Sequence, residues 1–503
     1  MSTTLNAAAA VFDPQLCASL HNDICRRGWA TLAPDLPFEE GTTTWWDTYG
    51  SECDASVASR LAPQLMEFLK QARIVRPALR DEAQGNFFFY LSGLAAPDSL
   101  FSYAGVIDPD EPDANRYVVL YHATQLMGHP VGLVMDQHTL KGQVMQSLTI
   151  DDTIVEQSRR PWVPLQDILA AYLNMIDMGK ITSEENPGEK VDYTALDASE
   201  RAGIIAGTWR PKVWPYERPW LLKPHSQAIL DRSVAALDNL LEAIEKRMPL
   251  PRAELASEIP LRTPVAEGVM GMASVAEKLI STNQASEHSF IVKFLRQVDG
   301  LLASVRPDLR FVAPGLRVPD HHVAAQPFEG LDDERWNPPI LLFHGELRDG
   351  TTALTTFPGG IWNHPFAPPY KERTTPFPSG LWIAEHKVDN PNYDNACRLL
   401  LPDEVVLAPG RTQHYAKSTD GFLLEQPGAQ CEGLAAGLYQ TSCNIFVGRH
   451  EVLLFHVLEH WVRQVEDGTW AVDRHGVAGG MEKWAEADES EAMAEKYRLP
   501  YTW

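Results

Sequence analysis

His344-Gly345-Glu346 closes an apolar run, Pro339-Ile340-Leu341-Leu342-Phe343, and sets an imidazole and a carboxylate two residues apart. Side chains alternate between the faces of a strand, so positions 344 and 346 share a face if this run is extended. Further along, a second apolar run, Val405-Val406-Leu407-Ala408, meets a Pro409-Gly410 turn and is followed by Gln413-His414-Tyr415-Ala416. Two neutral imidazoles and one carboxylate on one face of an octahedral ion leave positions open for other ligands, which suits non-heme iron(II). The spacing therefore predicts His344, Glu346 and His414 as metal ligands and as the catalytic set.

Other histidines compete for the distal position. His364 precedes a proline in a loop, His386 follows a strand-like run, and His450 sits where the last apolar run gives way to a helix. His414 is preferred because it follows a Pro-Gly turn after a strand. His456-Val457-Leu458-Glu459-His460 matches the H-x-x-E-H zinc pattern of inverted metalloproteases, and residues four apart on a helix can chelate from one face. That pattern needs a further downstream glutamate on another helix, and the surrounding Val452-Leu453-Leu454-Phe455 and Trp461 read as an ordinary packing helix. His321-His322 reads as a loop, and Asp136-Gln137-His138 as a turn. The tryptophans at 45, 46, 209, 214 and 220 are suited to a pocket wall or to a core. There is no G-x-S-x-G elbow, phosphate loop or dinucleotide fingerprint.

These residues need a scaffold, and bulk properties bound it. A chain of 503 residues exceeds one small core and predicts a large composite domain or two domains. Its 44% hydrophobic and 22% charged residues are ordinary for a folded soluble protein. The net charge of −24 repels phosphate backbones and anionic lipid, which argues against nucleic acid and membrane partners. No apolar run approaches a membrane span, and the start lacks a basic region before its alanines, so no secretory signal is expected. Six cysteines with no C-x-x-C pair favour reduced thiols, and hence a cytoplasmic location.

Periodicity predicts helices over 12–27, stopping before Gly28, and over 63–73, 162–178, 226–246 and 288–305. Strands are predicted over 86–91, 117–121 and 131–135, and 185–224 reads as an irregular, proline-rich connection. After Pro319 short apolar runs separated by turns take over, at 339–343, 351–357, 380–384, 404–408, 421–425 and 442–447. Helical pattern returns over 451–464 and 481–497. The expected organisation is a mainly helical scaffold with some strands over 1–335, a β core with the metal site over 336–450, and C-terminal helices over 451–503.

With these landmarks in order, residues 336–450 resemble the iron(II)- and 2-oxoglutarate-dependent oxygenases. His344-Gly345-Glu346 and the threonine-rich Gly350-Thr351-Thr352-Ala353-Leu354-Thr355-Thr356 match that family's H-x-D/E and following strand. Ser379-Gly380-Leu381-Trp382-Ile383 looks like its glycine-leucine strand. Leu401-Pro402-Asp403-Glu404-Val405 through Gly410 looks like the strand and turn before the distal histidine. Arg411-Thr412-Gln413-His414-Tyr415-Ala416 is similar to the distal segment of taurine-dioxygenase-like members, and Arg27-Gly28-Trp29-Ala30-Thr31-Leu32 to an opening strand. The resemblance implies an α+β fold with a double-stranded β-helix (jelly-roll) core, a large helical N-terminal region and C-terminal helices.

It also implies Fe(II), O₂ and 2-oxoglutarate as cofactors, and oxidation of a small-molecule substrate by hydroxylation, desaturation or cyclisation. One landmark departs from the pattern. Where the family places an arginine or lysine for the 2-oxoglutarate carboxylate, this chain has Leu423-Leu424-Glu425-Gln426. Tyr439-Gln440-Thr441-Ser442 stands where many members have arginine-x-serine. Arg348, Arg411 and Ser442 are therefore the candidates for cosubstrate binding, or the cosubstrate is not 2-oxoglutarate. Two alternatives stay open: a cupin-like metalloenzyme without 2-oxoglutarate, and a non-catalytic barrel that binds a small molecule. Substrate and oligomeric state are not legible.

Overall fold

Asp13 accepts hydrogen bonds at 3.0 Å from the backbone N–H groups of Gln15 and Leu16 and starts helix α1 (Pro14–Leu32), with Pro14 in its first turn. The computed structural model describes residues 12–51, 53, 55–79, 85–102, 107–124, 131–145, 162–184, 218–249, 271–329, 337–355, 376–385, 396–402, 406–408, 411–412, 417–418, 434–439, 452–500 and 502–503. α1 runs through Gly28, where the sequence predicted its end. Gly28 faces the Trp220 ring, where a Cβ would stand 2.9 Å from a ring carbon, so this glycine answers to packing and not to chain reversal. Strand β1 (Thr42–Thr44), helix α2 (Pro63–Leu69) and strand β2 (Arg73–Val75) follow, with β1 and β2 antiparallel. Arg73, expected at a helix end, begins a strand instead.

A five-stranded antiparallel sheet runs in the order β3 (Leu91–Leu94), β4 (Tyr117–Ala123), β5 (Gly132–Asp136), β6 (Lys141–Met145) and β7 (Val163–Pro164). The predicted strand at 86–91 is largely a reversal. Phe88 and Leu91 exchange backbone hydrogen bonds of 2.9 and 3.1 Å, and the consecutive aromatics of the turn are all buried. Helix α3 (Leu165–Asp177) packs on α1, and β8 (Ile181–Ser183) pairs with β9 (Trp220–Leu222).

Helix α4 (Gln227–Glu245) is capped by Ser226, whose Oγ accepts from Ile229 N–H at 3.1 Å. Helices α5 (Met272–Ser281), absent from the sequence reading, and α6 (Phe290–Ala303) pack on each other. Strands β10 (Phe311–Ala313) and β11 (Leu316–Arg317) form a hairpin. The next strands are β12 (Ile340–His344), β13 (Leu354–Thr355), β14 (Phe377–Pro378), β15 (Gly380–Ala384), β16 (Ala396–Leu401), β17 (Val406–Ala408), β18 (Arg411–Thr412) and β19 (Lys417–Ser418). They form a sheet in the order β12-β15-β16-β19 and the pairs β13-β14 and β17-β18. The predicted strands at 421–425 and 442–447 lie outside the described residues.

Helix α7 (Leu454–Glu466) packs on α4, and β20 (Val472–Asp473) and β21 (Gly476–Val477) return to join β10. The expected helix over 481–497 is split into a 3-10 stretch, Met481–Asp488, and helix α8 (Glu491–Tyr497), because Ser490 caps a fresh start by accepting from Met493 N–H. The architecture is α+β. Among the described residues most buried apolar side chains join one cluster that runs from Phe12 to Trp503, with smaller clusters around Tyr117 and around Trp29. Among the described residues no helix is long and apolar enough to cross a membrane.

Candidate metal centre

The end of β12 is built by close backbone approaches. His344 stands opposite Gly380 of β15, and Gly345 bridges to Leu316 of β11. Gly345 crosses residue 379 so tightly that a Cβ would lie 2.7 Å from the Ser379 carbonyl oxygen. The small residue between histidine and glutamate is thus a packing requirement. Glu346 N–H donates to Gly315 O at 2.7 Å, and Glu346 O accepts from Met481 N–H at 2.8 Å. Gly315 has φ +69° and no space for a Cβ between Met481 N and Glu346 O, so only glycine serves there. The chain then reverses through Leu347-Arg348-Asp349-Gly350, where Asp349 accepts from Thr351 N–H and Oγ1 at 2.9 and 2.6 Å. Those bonds draw the Asp349 carboxyl below its ordinary pKa.

His344 is the last residue of β12, and Glu346 follows it through isolated bridges at Gly345 and Glu346. Both are half-buried, whereas Gly345 between them is buried. The Glu346 carboxylate has a partner that no motif announced. Arg317 of β11 donates from Nη1 to Glu346 Oε1 at 2.7 Å and from Nη2 to Asp320 Oδ2 at 3.1 Å. Burial works against the Arg317 charge, but the bonds to Glu346 and Asp320 outweigh it and hold its pKa above the ordinary value. Arg317 lies 29 residues before Glu346 in the chain, and only the β10-β11 hairpin and the Gly345–Leu316 bridge bring it across.

The remaining predicted residues are less completely placed. Arg348 is exposed on the turn after Glu346, and its N–H donates to Glu482 Oε2 at 3.2 Å. Arg411 lies on β18 opposite Ala408. His414 and Ser442 lie outside the described residues, as do the rival histidines His364, His386 and His450. Among the described residues no group of three histidine, cysteine or acidic side chains is gathered to hold a metal ion. No protein-family model, curated protein or solved structure matches the chain.

The helical H-x-x-E-H segment is a packing element. His456 and His460 are buried on α7, and His456 lies against Phe455 and Trp503. Burial, helped by Arg463, pushes the His460 pKa down to about 3. Glu459 grips Arg232 of α4 through both oxygens, at 2.6 and 3.0 Å. That carboxylate ties two helices together.

Proposed function

We propose that this chain is a non-heme iron(II) oxygenase whose β core, a double-stranded β-helix, holds the metal through His344, Glu346 and His414, with 2-oxoglutarate as the cosubstrate and a small molecule as the substrate. The observation that supports this reading is the segment at the end of β12, where an imidazole and a carboxylate stand two residues apart and a fixed arginine holds a single oxygen of the carboxylate. A carboxylate that ligates through one oxygen commonly gives the other to a hydrogen-bond donor, which orients it. Arg317 fills that role on Oε1 and leaves Oε2 for an ion. The donor set of two imidazoles and one carboxylate is of the type that suits a hard-to-borderline divalent metal.

Iron(II) bound there would supply O₂ activation for oxidation of a substrate C–H bond. The chain's own contribution is positional. His344 and Glu346 are held by Gly345, Gly315 and Met481, whose backbones leave β12 little freedom. Arg317 also offsets the negative charge of Glu346 and Asp320. Arg317 is already committed to two carboxylates, so an acidic cosubstrate would be held by Arg348, Arg411 or Ser442. The alternative without 2-oxoglutarate draws on the lack of a basic residue in 423–426.

The test is anaerobic loading with iron(II), followed by metal analysis and O₂ uptake with and without 2-oxoglutarate. One equivalent of iron and uptake stimulated by 2-oxoglutarate are expected. His344→Ala, Glu346→Ala and His414→Ala should each abolish both. Iron without that stimulation points to the cupin-like alternative, and full iron occupancy in His414→Ala removes residue 414 from the ligand set. A protein that takes up no iron is not an oxygenase of this kind.

A further inference from the structure

A cavity of about 290 Å³ opens between α1, the β1-β2 pair and the start of β3. Its walls include the aromatic side chains of Trp29, Phe38, Phe87 and Trp220. These side chains give the cavity an apolar lining.

The polar groups at this cavity share one character. Arg73 lines it, with Nε donating to Thr42 Oγ1 at 2.7 Å and Nη2 to the carbonyls of Glu39 and Thr42 at 3.0 Å. All these acceptors are neutral, and Arg73 forms no ion pair among the described residues. Asn86 lines the same space, but its Nδ2 amide is shut off from any solvent-sized guest. His122 lines it from β4; burial lowers its pKa, so it stands neutral, and no described residue hydrogen-bonds its ring. Among the described residues no aspartate or glutamate lines the cavity, although the chain carries a net charge of −24. A partly buried guanidinium with no counter-ion among the described residues favours an anionic guest.

His21 is excluded as a reactive group here. Its Nε2 lies 2.8 Å from the Arg73 carbonyl, which can only accept, so Nε2 carries the proton and Nδ1 accepts from Tyr121 Oη at 2.8 Å. Burial pushes its pKa down to about 4 and that of neighbouring Cys25 up to about 12. The pair is a neutral wall, and the cavity is built to bind and not to attack.

We propose that this cavity is a binding site for a small carboxylate, its apolar part against the aromatic lining and its charge met by Arg73 and His122. The proposal is independent of the iron reading and stands whether or not iron binds. It is tested by calorimetric titration of the full chain with benzoate, and with benzyl alcohol as a neutral probe of similar shape. Benzoate should bind and benzyl alcohol should bind at least about tenfold more weakly. Arg73→Gln should weaken benzoate by about ten- to a hundredfold, the range of one charge-assisted hydrogen bond, and leave benzyl alcohol unchanged. Arg73 also ties β2 to Thr42, so His122→Ala, a half-buried side chain, is the second variant and should weaken benzoate severalfold. No benzoate binding to the unaltered protein at millimolar concentration, or equal affinity for the two probes, overturns the proposal.

Discussion

Replacing Glu385 with glutamine should remove one specific pH dependence from the stability of this protein. Glu385 follows β15 and is 6% exposed. Its Oε1 accepts from Ile291 N–H at 2.8 Å, and Phe290 N–H and the Ser289 hydroxyl also bond to it at the start of α6. Burial raises its pKa from 4.5 to about 7, against the lowering effects of those bonds and of Lys293, whose Nζ lies 3.1 Å from His225 Nε2. For an acid with a raised native pKa, the folded chain keeps a proton that the unfolded chain has released. The associated stability is therefore complete below pH 4.5 and is lost as the pH rises through about 7. At about 1.4 kcal/mol per pH unit, the shift corresponds to about 3 kcal/mol. Glutamine is neutral throughout, so urea unfolding of both proteins from pH 4 to pH 8 isolates this group. The stability difference should move by about 3 kcal/mol in favour of Glu385→Gln toward pH 8. A difference that stays flat within about 0.5 kcal/mol would refute the argument that Glu385 carries a buried, shifted charge.

Arg317→Gln should destabilise the fold by about 2 kcal/mol, because it leaves the half-buried Glu346 without its cation, and thermal unfolding reads this directly. The same variant should retain less iron than the unaltered protein if Arg317 orients Glu346, with metal content after gel filtration as the readout. Gly315→Ala should cost more than about 1 kcal/mol and loosen the contact between Glu346 and Met481, seen as faster amide exchange at Met481. Glu459→Gln should cost about 1–2 kcal/mol through the lost grip on Arg232 while leaving iron content unchanged. Loss of iron in that variant would contradict the packing role of α7.

Much of the helical frame was legible because its signals are local. Ser226 and the stripe behind it define α4, and Pro14 to Ile24 define most of α1. The strands β4, β5, β12 and β15 were likewise legible as short apolar runs between turns. β16 was missed, although it lies inside the sheet and pairs with both β15 and β19. Ala396-Cys397-Arg398-Leu399-Leu400-Leu401 shows no alternation and carries an arginine that is 2% exposed, a burial that only tertiary partners make tolerable. At the candidate centre the sequence determined the two-residue spacing of His344 and Glu346, which is a property of the chain itself. Tertiary structure decided why residue 345 must be small, what holds Glu346, and that Arg73, Asn86 and His122 face one cavity. These depend on chain segments meeting in space, and no local spacing encodes where distant segments meet.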